Sequence, residues 1–398
     1  QWQDHKLDWG ASAMMYDINP GTIRPYGGLS LYTPKTLQKE KALEAALYLN
    51  DEWDITPKLT VSLGVRYSLF NAFGKRTFNT YKEGELPSMM NVLGTESGDG
   101  SLKTYHGPEF RTGMRYAFAE DFSVKAGIGT MRQYIHKVSN TMVMSPTDTW
   151  KLSDMFIEPQ TGMQYSLGFY KNFMGGDWEA SVEGYYKTMD NYLDYCSGAQ
   201  LLMNDHLETD VLPTQGHAYG VEFMLKRPEG KLNGWVSYTY SRTKLRQSDP
   251  RIADPVNDGG WYPAEYDKPH DFKLVGNYQF TQRYSTSFNV DYSTGRPMTM
   301  PVSQYYDHTI GATTLYYSKR NGIRIPDYFR VDLAFNIKPT HRLTAKMHTF
   351  ITVGVYNLLG RKNIYSIYFQ NEGDDGLKGY RMSIFGAPIP YASFNVKF

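Results

Sequence analysis

Hydrophobic and polar residues alternate strictly along many stretches of this chain. In the segment LTVSLGVRYSLF, residues 59–70, every second side chain from Leu59 to Leu69 is apolar or aromatic, and small or polar residues stand between them. The C-terminal segment PYASFNVKF follows the same rule, with Phe394, Val396 and Phe398 separated by polar residues. A period of two residues predicts β-strands with one apolar face and one polar face.

Fourteen segments show this pattern, so the chain is predicted to be all-β. Most are ten to fourteen residues long, whereas strands in soluble domains are commonly about five or six. A tilted strand that crosses a bilayer needs about nine to eleven residues. The predicted strands cover residues 3–17, 43–55, 59–70, 106–118, 122–135, 160–173, 178–187, 216–228, 232–244, 268–281, 287–293, 330–338, 346–358 and 386–398.

The connections between these segments alternate between short and long. Short ones such as DITPK and PEGK contain the Gly, Pro and Asp of tight turns. Seven long ones, near 18–42, 71–105, 136–159, 192–215, 245–267, 296–325 and 359–385, greatly exceed the usual loop of a compact soluble domain. This alternation predicts a transmembrane antiparallel β-barrel over residues 1–398, with short periplasmic turns and long extracellular loops.

The register of a strand separates this prediction from a soluble β-sandwich. If the strand at 330–338 slipped by one residue, Arg330, Asp332 and Lys338 would point at lipid. A basic residue at mid-bilayer costs about 2–4 kcal/mol, so this register is excluded. The alternative of a soluble sandwich remains open only if Leu63, Val290, Leu333 and Phe394 are sealed in a core.

The composition agrees with a membrane barrel and excludes several other classes. The chain has 398 residues, 33 tyrosines and 15% aromatic residues, yet a mean hydropathy of only −0.52, because alternation cancels in an average. A net charge of +1 and the lack of a basic run give no reason to expect nucleic acid. Cys196 is the single cysteine, which rules out a disulfide framework. No signal peptide is visible, so it has been removed or the chain is a piece of something longer.

Charged residues occupy the polar faces of several predicted strands. One interpretation is a ladder of mixed charges that hydrates the wall of the lumen. The other is that some of them hold a plug domain, because a 22-stranded barrel, roughly 45 Å across, cannot be filled by side chains. The lumen or plug-facing candidates are Glu109, Arg111, Arg115, Glu179, Glu183, Glu222, Arg330 and Asp332.

The predicted long loops are rich in aromatic residues. Aromatic planes beside Asp and Asn are suited to a sugar ring, a peptide or a planar chelate. Alternatively, they pack the loops on each other or sit in the interfacial aromatic girdle. The ligand-contact candidates are Trp150, Trp261, Tyr262, Tyr305, Tyr306, Tyr316 and Tyr317, the last four in an expected external hairpin.

The sequence carries no enzyme or cofactor signature. Neither His-x-x-x-His nor Gly-x-Ser-x-Gly occurs, and the acidic stretch NEGDDG lacks the spacing of a calcium loop. An Asp/His pair in the outer loops is conceivable, but nothing recommends it. We therefore predict no enzyme, no cofactor and no metal site.

Several stretches resemble TonB-dependent outer-membrane receptors, most similarly the Bacteroidetes type with a carboxypeptidase-like regulatory domain. They include IEPQTGMQYSLGFYKNF, YPAEYDKPHDFKLVGNYQF, VGVYNLLGRKNIYSIYF and, most specifically, AYGVEFMLKRPEGKLNGWVSYTYSRT. The resemblance implies location in the outer membrane of a Gram-negative bacterium and active uptake of a siderophore, vitamin, oligosaccharide or peptide. It also implies that Phe394, Val396 and Phe398 are the signal for the barrel-assembly machinery.

The chain departs from this family in its strand number. The resemblance implies 22 strands, a plug and a motor-binding box, so fourteen strands without a plug are expected to be the C-terminal part of a receptor. The expected partners are outer-membrane lipid, the missing plug and strands on the same or a separate polypeptide, the TonB–ExbB–ExbD motor acting through the plug, and the barrel-assembly machinery. A surface lipoprotein is a further candidate. A passive porin-like channel and a surface binding or assembly scaffold remain alternatives.

Overall fold

The alternating segments form one large antiparallel sheet in which each strand pairs with the next strand of the barrel wall. The computed structural model describes residues 4–27, 30, 33–138, 149–308, 312–339, 347–371, 376–384 and 386–397. All fourteen predicted strands are present. We name them β1 (His5–Ile18), β2 (Glu40–Thr56), β3 (Leu59–Phe73), β4 (Ser101–Ala119), β5 (Phe122–Gln133), β6 (Gln160–Phe173), β7 (Trp178–Tyr195), β8 (Val211–Arg227), β9 (Leu232–Arg246), β10 (His270–Gln279), β11 (Tyr284–Ser293), β12 (Tyr328–Ile337), β13 (His348–Tyr356) and β14 (Ile389–Lys397).

Short turns join the strands at one end of the sheet. Two of these turns use the same device. The Thr56 hydroxyl accepts a hydrogen bond from the backbone N–H of Leu59 at 3.0 Å, and the Thr281 hydroxyl accepts one from Tyr284 at 3.2 Å. A threonine that bonds the backbone a few residues on stabilises a tight turn locally.

The long connections at the other end contain small elements of their own. The short strand Tyr262–Pro263 pairs with the end of β9. Single turns of 3₁₀ helix cover Leu207–Thr209 and Val256–Gly259, and a third, Met174–Gly176, forms the short turn between β6 and β7 at the opposite end. The remaining loop strands pair as Thr22–Ile23 with Lys35–Thr36, Arg76–Tyr81 with Val92–Gly98, Ile135–Val138 with Thr149–Leu152, Pro297–Met298 with Ile323–Arg324, Pro301–Asp307 with Ala312–Tyr317, and Ile364–Asn371 with Leu377–Ser383.

The apolar face of the sheet points outward and is not covered by protein. Leu63, Leu333 and Phe394 are 52%, 43% and 66% exposed, and Val290 is half-buried. A soluble sandwich would bury these side chains on a second sheet, so that alternative is wrong. No helix among the described residues is long and apolar enough to cross a membrane.

Strand boundaries differ most from the prediction at β7, which was expected to end at 187 and continues to Tyr195. Its pairing with β8 shifts between Met189 and Tyr192, and Asn191 adopts a positive φ of 54°. This irregularity breaks the alternation without breaking the strand, because a bulge adds a residue and the ladder then resumes.

The two outermost strands of the sheet each have one strand partner among the described residues. β1 pairs with β2, and β14 pairs with β13. The sheet of this part of the chain therefore has two free edges, each with a row of backbone groups able to bond a further strand. Phe398 lies outside the described residues.

Candidate functional site at the long-loop rim

The loop between β5 and β6 folds inward onto the polar face of β3. Tyr134 is buried there, with its ring stacked on Phe70 at a centroid distance of 4.7 Å. Its hydroxyl lies 2.8 Å from the hydroxyl of Ser68. Because Phe70 and Ser68 alternate with the outward-facing Leu69, these contacts lie on the lumen side of the wall. This loop therefore narrows the lumen at the long-loop rim.

Four charged side chains, three of them buried and Arg76 partly buried, fix this loop to the wall. We call them the first ion cluster: Glu40, Arg76, Lys151 and Asp154. Lys151 Nζ lies 2.5 Å from Glu40 and 2.6 Å from Asp154. Arg76 lies 3.2 Å from Glu40 and 3.1 Å from Asp154. Burial favours the neutral carboxyl, but Lys151 and Arg76 outweigh it and hold the pKa of Asp154 below its ordinary value. The charges of the two cations and the two carboxylates cancel, so the cluster contains no uncompensated buried charge.

A second group joins three other loops, and we call it the second ion cluster: Asp194, Tyr195, Tyr262, Glu265 and Arg320. Arg320 lies 3.4 Å from Asp194 and donates to the carbonyl oxygen of Tyr195 at 2.7 Å. The Tyr262 hydroxyl donates to Asp194 at 2.5 Å, and that of Tyr195 donates to Glu265 at 2.9 Å. Burial raises the pKa of Glu265 to about 7. Near neutral pH this carboxyl therefore exists in both protonation states.

A cavity of about 400 Å³ lies beside the second ion cluster, within the size range of small-molecule sites. Met189 and Leu245 on its wall belong to the inward face, so the cavity opens on the lumen side. Its polar lining offers both donors and acceptors and has no single sign of charge. The polar lining residues are Gln133, His136, Lys137, Gln160, Lys187, Tyr192, Asp194, Tyr195, Glu265, Tyr266, Arg320 and Asn321.

The aromatic residues predicted to contact ligand do not form one site. Tyr262 is 1% exposed and packs with Leu245, Val256 and Ala264, so it takes the alternative role of holding loops together. Trp261 is directed to the outer face, where its ring meets His217 edge-on at 4.2 Å. The other candidates are exposed and lie on paired loop strands, namely Trp150, Tyr305, Tyr306, Tyr316 and Tyr317.

The predicted lumen charges lie on the face opposite the exposed apolar side chains, and several are paired. Arg66 bridges Glu44 and Glu109 at 3.1 and 2.7 Å. Arg330 pairs with Asp332 at 3.0 Å. On β7 and β8, Glu183 and Glu222 stand directly opposite each other, and Glu179 pairs with Lys226 at 2.9 Å. On β4, Arg111 stands opposite Gly129 and Arg115 opposite Lys125 of β5.

Neither ion cluster was predicted from the sequence. Glu40 and Lys151 are far apart in the chain, and neither lies in a stretch whose periodicity singles it out. The only local sign is the spacing of Lys151 and Asp154 in the segment KLSD. Within the described residues, no group of three or more His, Cys, Asp or Glu is arranged to hold a metal ion.

Comparison with solved structures gives the same architecture. The ferripyoverdine receptor of the Pseudomonas aeruginosa outer membrane, bound to ferripyoverdine, matches with a TM-score of 0.55 at 13% identity, over 98% of this chain and 45% of that one. The ferric-catecholate import receptor Fiu of E. coli K12 matches with a TM-score of 0.59 at 14% identity, over 98% of this chain and 52% of that one. The FrpB iron transporter of Neisseria meningitidis matches with a TM-score of 0.57 at 11% identity, over 99% of this chain and 53% of that one. The chain thus spans about half the length of these structures.

Sequence comparison addresses the family directly. Among curated proteins no match is found. The family model described as TonB dependent receptor-like, beta-barrel matches residues 2–358, which is most of the chain and includes β1 to β13. The long strands, the outward apolar face and the solved structures of the same fold agree with it. The chain therefore belongs to the TonB-dependent receptor-like β-barrel family, a family of transport receptors in the outer membrane of Gram-negative bacteria.

Proposed function

We propose that this chain forms the C-terminal barrel portion of a receptor for TonB-dependent active uptake of a scarce nutrient. The observation that carries the proposal is the inward folding of the long loops around a polar cavity. A pore for passive diffusion has no need of loops anchored across its mouth by two buried ion clusters. A receptor does need them, because a ligand must be held before it is moved. Transport, rather than catalysis, is the activity that follows.

The nutrient is proposed to be a siderophore, a vitamin, an oligosaccharide or a peptide. The cavity beside the second ion cluster presents the cationic side chains of Lys187 and Arg320 together with Glu265 and the Tyr266 ring. Such a mixed lining suits a polar ligand with both donors and acceptors. Several proteins of the same fold are described as receptors for ferric chelates, which makes an iron chelate one member of this group.

Further strands and a plug are proposed to complete the barrel, on the same or a separate polypeptide. Support comes from the free edges of β1 and β14, whose backbone groups need partners inside lipid. The barrel wall also presents charges to the lumen that a plug can pair with. The TonB–ExbB–ExbD motor would act through that plug. A regulatory domain of the Bacteroidetes type and a surface lipoprotein belong to the same proposal.

Two sets of side chains keep proposed roles. Trp150 and the external hairpin tyrosines at 305, 306, 316 and 317 are exposed and remain candidates for ligand contact. At the other end of the wall, Phe394 is exposed to lipid and Val396 lies on the same face. With Phe398 they are proposed to be the signal read by the barrel-assembly machinery.

Growth and uptake in a deletion strain test the function. We expect the strain to lose growth on one class among defined iron, vitamin, glycan and peptide sources. Returning the wild-type gene to the strain should restore uptake, and this uptake should stop when a protonophore collapses the proton gradient across the inner membrane. A gene carrying Lys187→Gln, which alters the cavity, should restore less uptake. Lys231→Gln, which removes an equal charge at a short turn, should not. Uptake that continues at the same rate in the presence of the protonophore would instead indicate a passive channel. Uptake that is unchanged when the gene is deleted would indicate a surface scaffold.

A further inference from the structure

The outward face of β9 changes character along its length. Starting from the short turn, the side chains on this face are Val236, Tyr238, Tyr240, Arg242, Lys244 and Arg246. The intervening Leu245 is only 3% exposed and packs inward against the second ion cluster. Since side chains alternate across a strand, Lys244 and Arg246 must point away from the lumen. The wall thus presents an apolar, then an aromatic, then a basic zone.

The basic zone lies at the height of the lipid headgroups. At about 3.3 Å per residue and a tilt of about 40°, Lys244 stands roughly 30 Å above the start of β9. The apolar band of an outer-membrane barrel is about 25 Å tall and is bordered by aromatic residues. Such a border is present beside Lys244, which stands opposite His217 on β8. The ring centroids of Tyr186 and Tyr219 lie 6.4 and 6.1 Å from that of His217, and the Trp261 ring meets the His217 ring edge-on.

The charges of this zone are incompletely balanced. Arg242 lies 3.5 Å from Asp267, but Asp267 also pairs with Arg324. Arg246 donates through Nε to the carbonyl oxygen of Gly259 at 3.0 Å and lies over the Trp261 ring. In the part of the chain that the structure describes, neither Lys244 nor Arg246 lies within ion-pair distance of a carboxylate. A net positive surface therefore adjoins the lipid-facing wall.

We propose that Lys244 and Arg246, with Arg242 and Trp261 beside them, bind the phosphoryl headgroup of a phosphorylated lipid of the outer leaflet. Arginine and lysine form short, charge-assisted hydrogen bonds to phosphate oxygens. The tyrosine zone below suits the boundary between headgroup and acyl chains, which would pack on the aliphatic side chains of β8 and β9. The sheet separates this surface from the lumen, so the proposal does not depend on the nutrient.

Native mass spectrometry of the full-length receptor in mild detergent tests the site. The probe is an acylated diglucosamine that carries two phosphates. Each basic residue near a membrane surface contributes about a fivefold factor to binding of an anionic lipid. We therefore expect the affinity to fall about 25-fold in the double variant Lys244→Gln/Arg246→Gln. The control is Lys58→Gln/Lys231→Gln, which removes two lysines from short turns at the opposite rim and should bind as wild type does.

Two further probes identify what the site recognises. The same glycolipid without phosphates should bind the wild-type receptor no better than the double variant. A glucosamine phosphate without acyl chains should bind far more weakly than the lipid. Equal affinity of the double variant and the wild type, or equal affinity of either of these probes and the phosphorylated lipid, would overturn the proposal. Heat-modifiable gel mobility checks folding, and Lys244→Gln alone, with an expected fivefold loss, replaces a double variant that fails to fold.

Discussion

The two ion clusters at the long-loop rim fix loops to the same barrel in different ways. In the first ion cluster two cations face two carboxylates, and Lys151 and Asp154 are almost fully buried. In the second ion cluster Arg320 faces two carboxyls, Asp194 and Glu265, and tyrosine hydroxyls supply the remaining hydrogen bonds. The first is balanced in charge, whereas the second depends on a carboxyl that is partly protonated near neutral pH.

This difference indicates which loops can respond to their surroundings. A balanced, buried cluster is costly to open, because every charge would lose its partner at once. A cluster with a titratable member changes its charge within the range of natural pH. The cavity lies beside the second ion cluster. We therefore expect the side of the cavity formed by the second ion cluster to be adjustable. The loop on β3, which supplies Gln133 and His136 to the same cavity, is expected to serve as its fixed support.

The largest effect is expected from Lys151→Met in the first ion cluster. Removing one member of a buried ion pair leaves a carboxylate uncompensated, which costs about 3–5 kcal/mol. Hydrogen exchange of the amides in 149–157 would report this as a loss of local stability. The control is Lys82→Met in the neighbouring hairpin, because Lys82 pairs with Glu85 in the exposed part of that loop and should leave the exchange unchanged. Equal effects of the two variants would contradict the fixed-support interpretation.

A smaller effect is expected from Arg320→Met in the second ion cluster. The variant loses the ion pair to Asp194 and the hydrogen bond to the Tyr195 carbonyl oxygen. We expect a local loss of about 2–3 kcal/mol, because Asp194 keeps the hydrogen bond from Tyr262. Hydrogen exchange of the amides in 262–267 is the measurement. The control is Arg251→Met, in the same loop as these amides, whose local stability is expected to stay within about 0.5 kcal/mol of wild type. A loss larger than that of Lys151→Met would reverse the order of the two clusters.

The barrel wall could be predicted from the sequence because its signal is local. Each residue of a strand faces either lipid or the lumen, so the alternation from Leu59 to Leu69 already contains the orientation of β3. The same reasoning found every strand of the wall. It did not find the extension of β7 beyond 187, because a bulge at Asn191 interrupts the period.

The loop contacts could not be predicted because they join distant residues without a repeating pattern. Nothing in the chain near Glu40 indicates Lys151 as its partner, and Arg320 meets Asp194 only after two loops have folded over the rim. Aromatic content proved ambiguous for a related reason. Tyr262 and Trp261 are neighbours in sequence, yet one is buried between loops and the other is directed toward the lipid.

A third prediction concerns pH, where the two regions should respond in opposite directions. Burial lowers the pKa of His136, next to the first ion cluster, to about 4 from 6.5. The unfolded segment therefore binds the proton first, and local stability falls as pH decreases from 6.5 to 4. Glu265 has its pKa raised from 4.5 to about 7, so stability around it falls as pH increases from 4.5 to 7. Each trend should reach about 2 kcal/mol after allowance for partial exposure.

Region-resolved hydrogen exchange between pH 4.5 and 7.5, corrected for intrinsic exchange rates, checks both trends. His136→Gln should flatten the profile of the 135–138 and 149–157 region and leave that of 262–267 unchanged. Glu265→Gln should do the reverse. The groups facing His136 are Lys151, Asp154 and Ser153, and those facing Glu265 are Tyr195, Asp194, Arg320 and Arg296. Parallel trends in the two regions would show that these residues do not control the local charge.

The smallest expected effect comes from removing one hydroxyl from each region while keeping its ring. Tyr134→Phe loses a contact with the neutral Ser68 hydroxyl, and Tyr262→Phe loses a hydrogen bond to the carboxylate of Asp194. Neutral hydrogen bonds contribute about 1 kcal/mol and bonds to charged groups about 1.5–3 kcal/mol. The Tyr262 variant should therefore lose more local stability, although its cluster is the weaker of the two. If Tyr134→Phe were the more damaging, the charge of the hydrogen-bond partner would not be what decides how much each hydroxyl contributes to local stability.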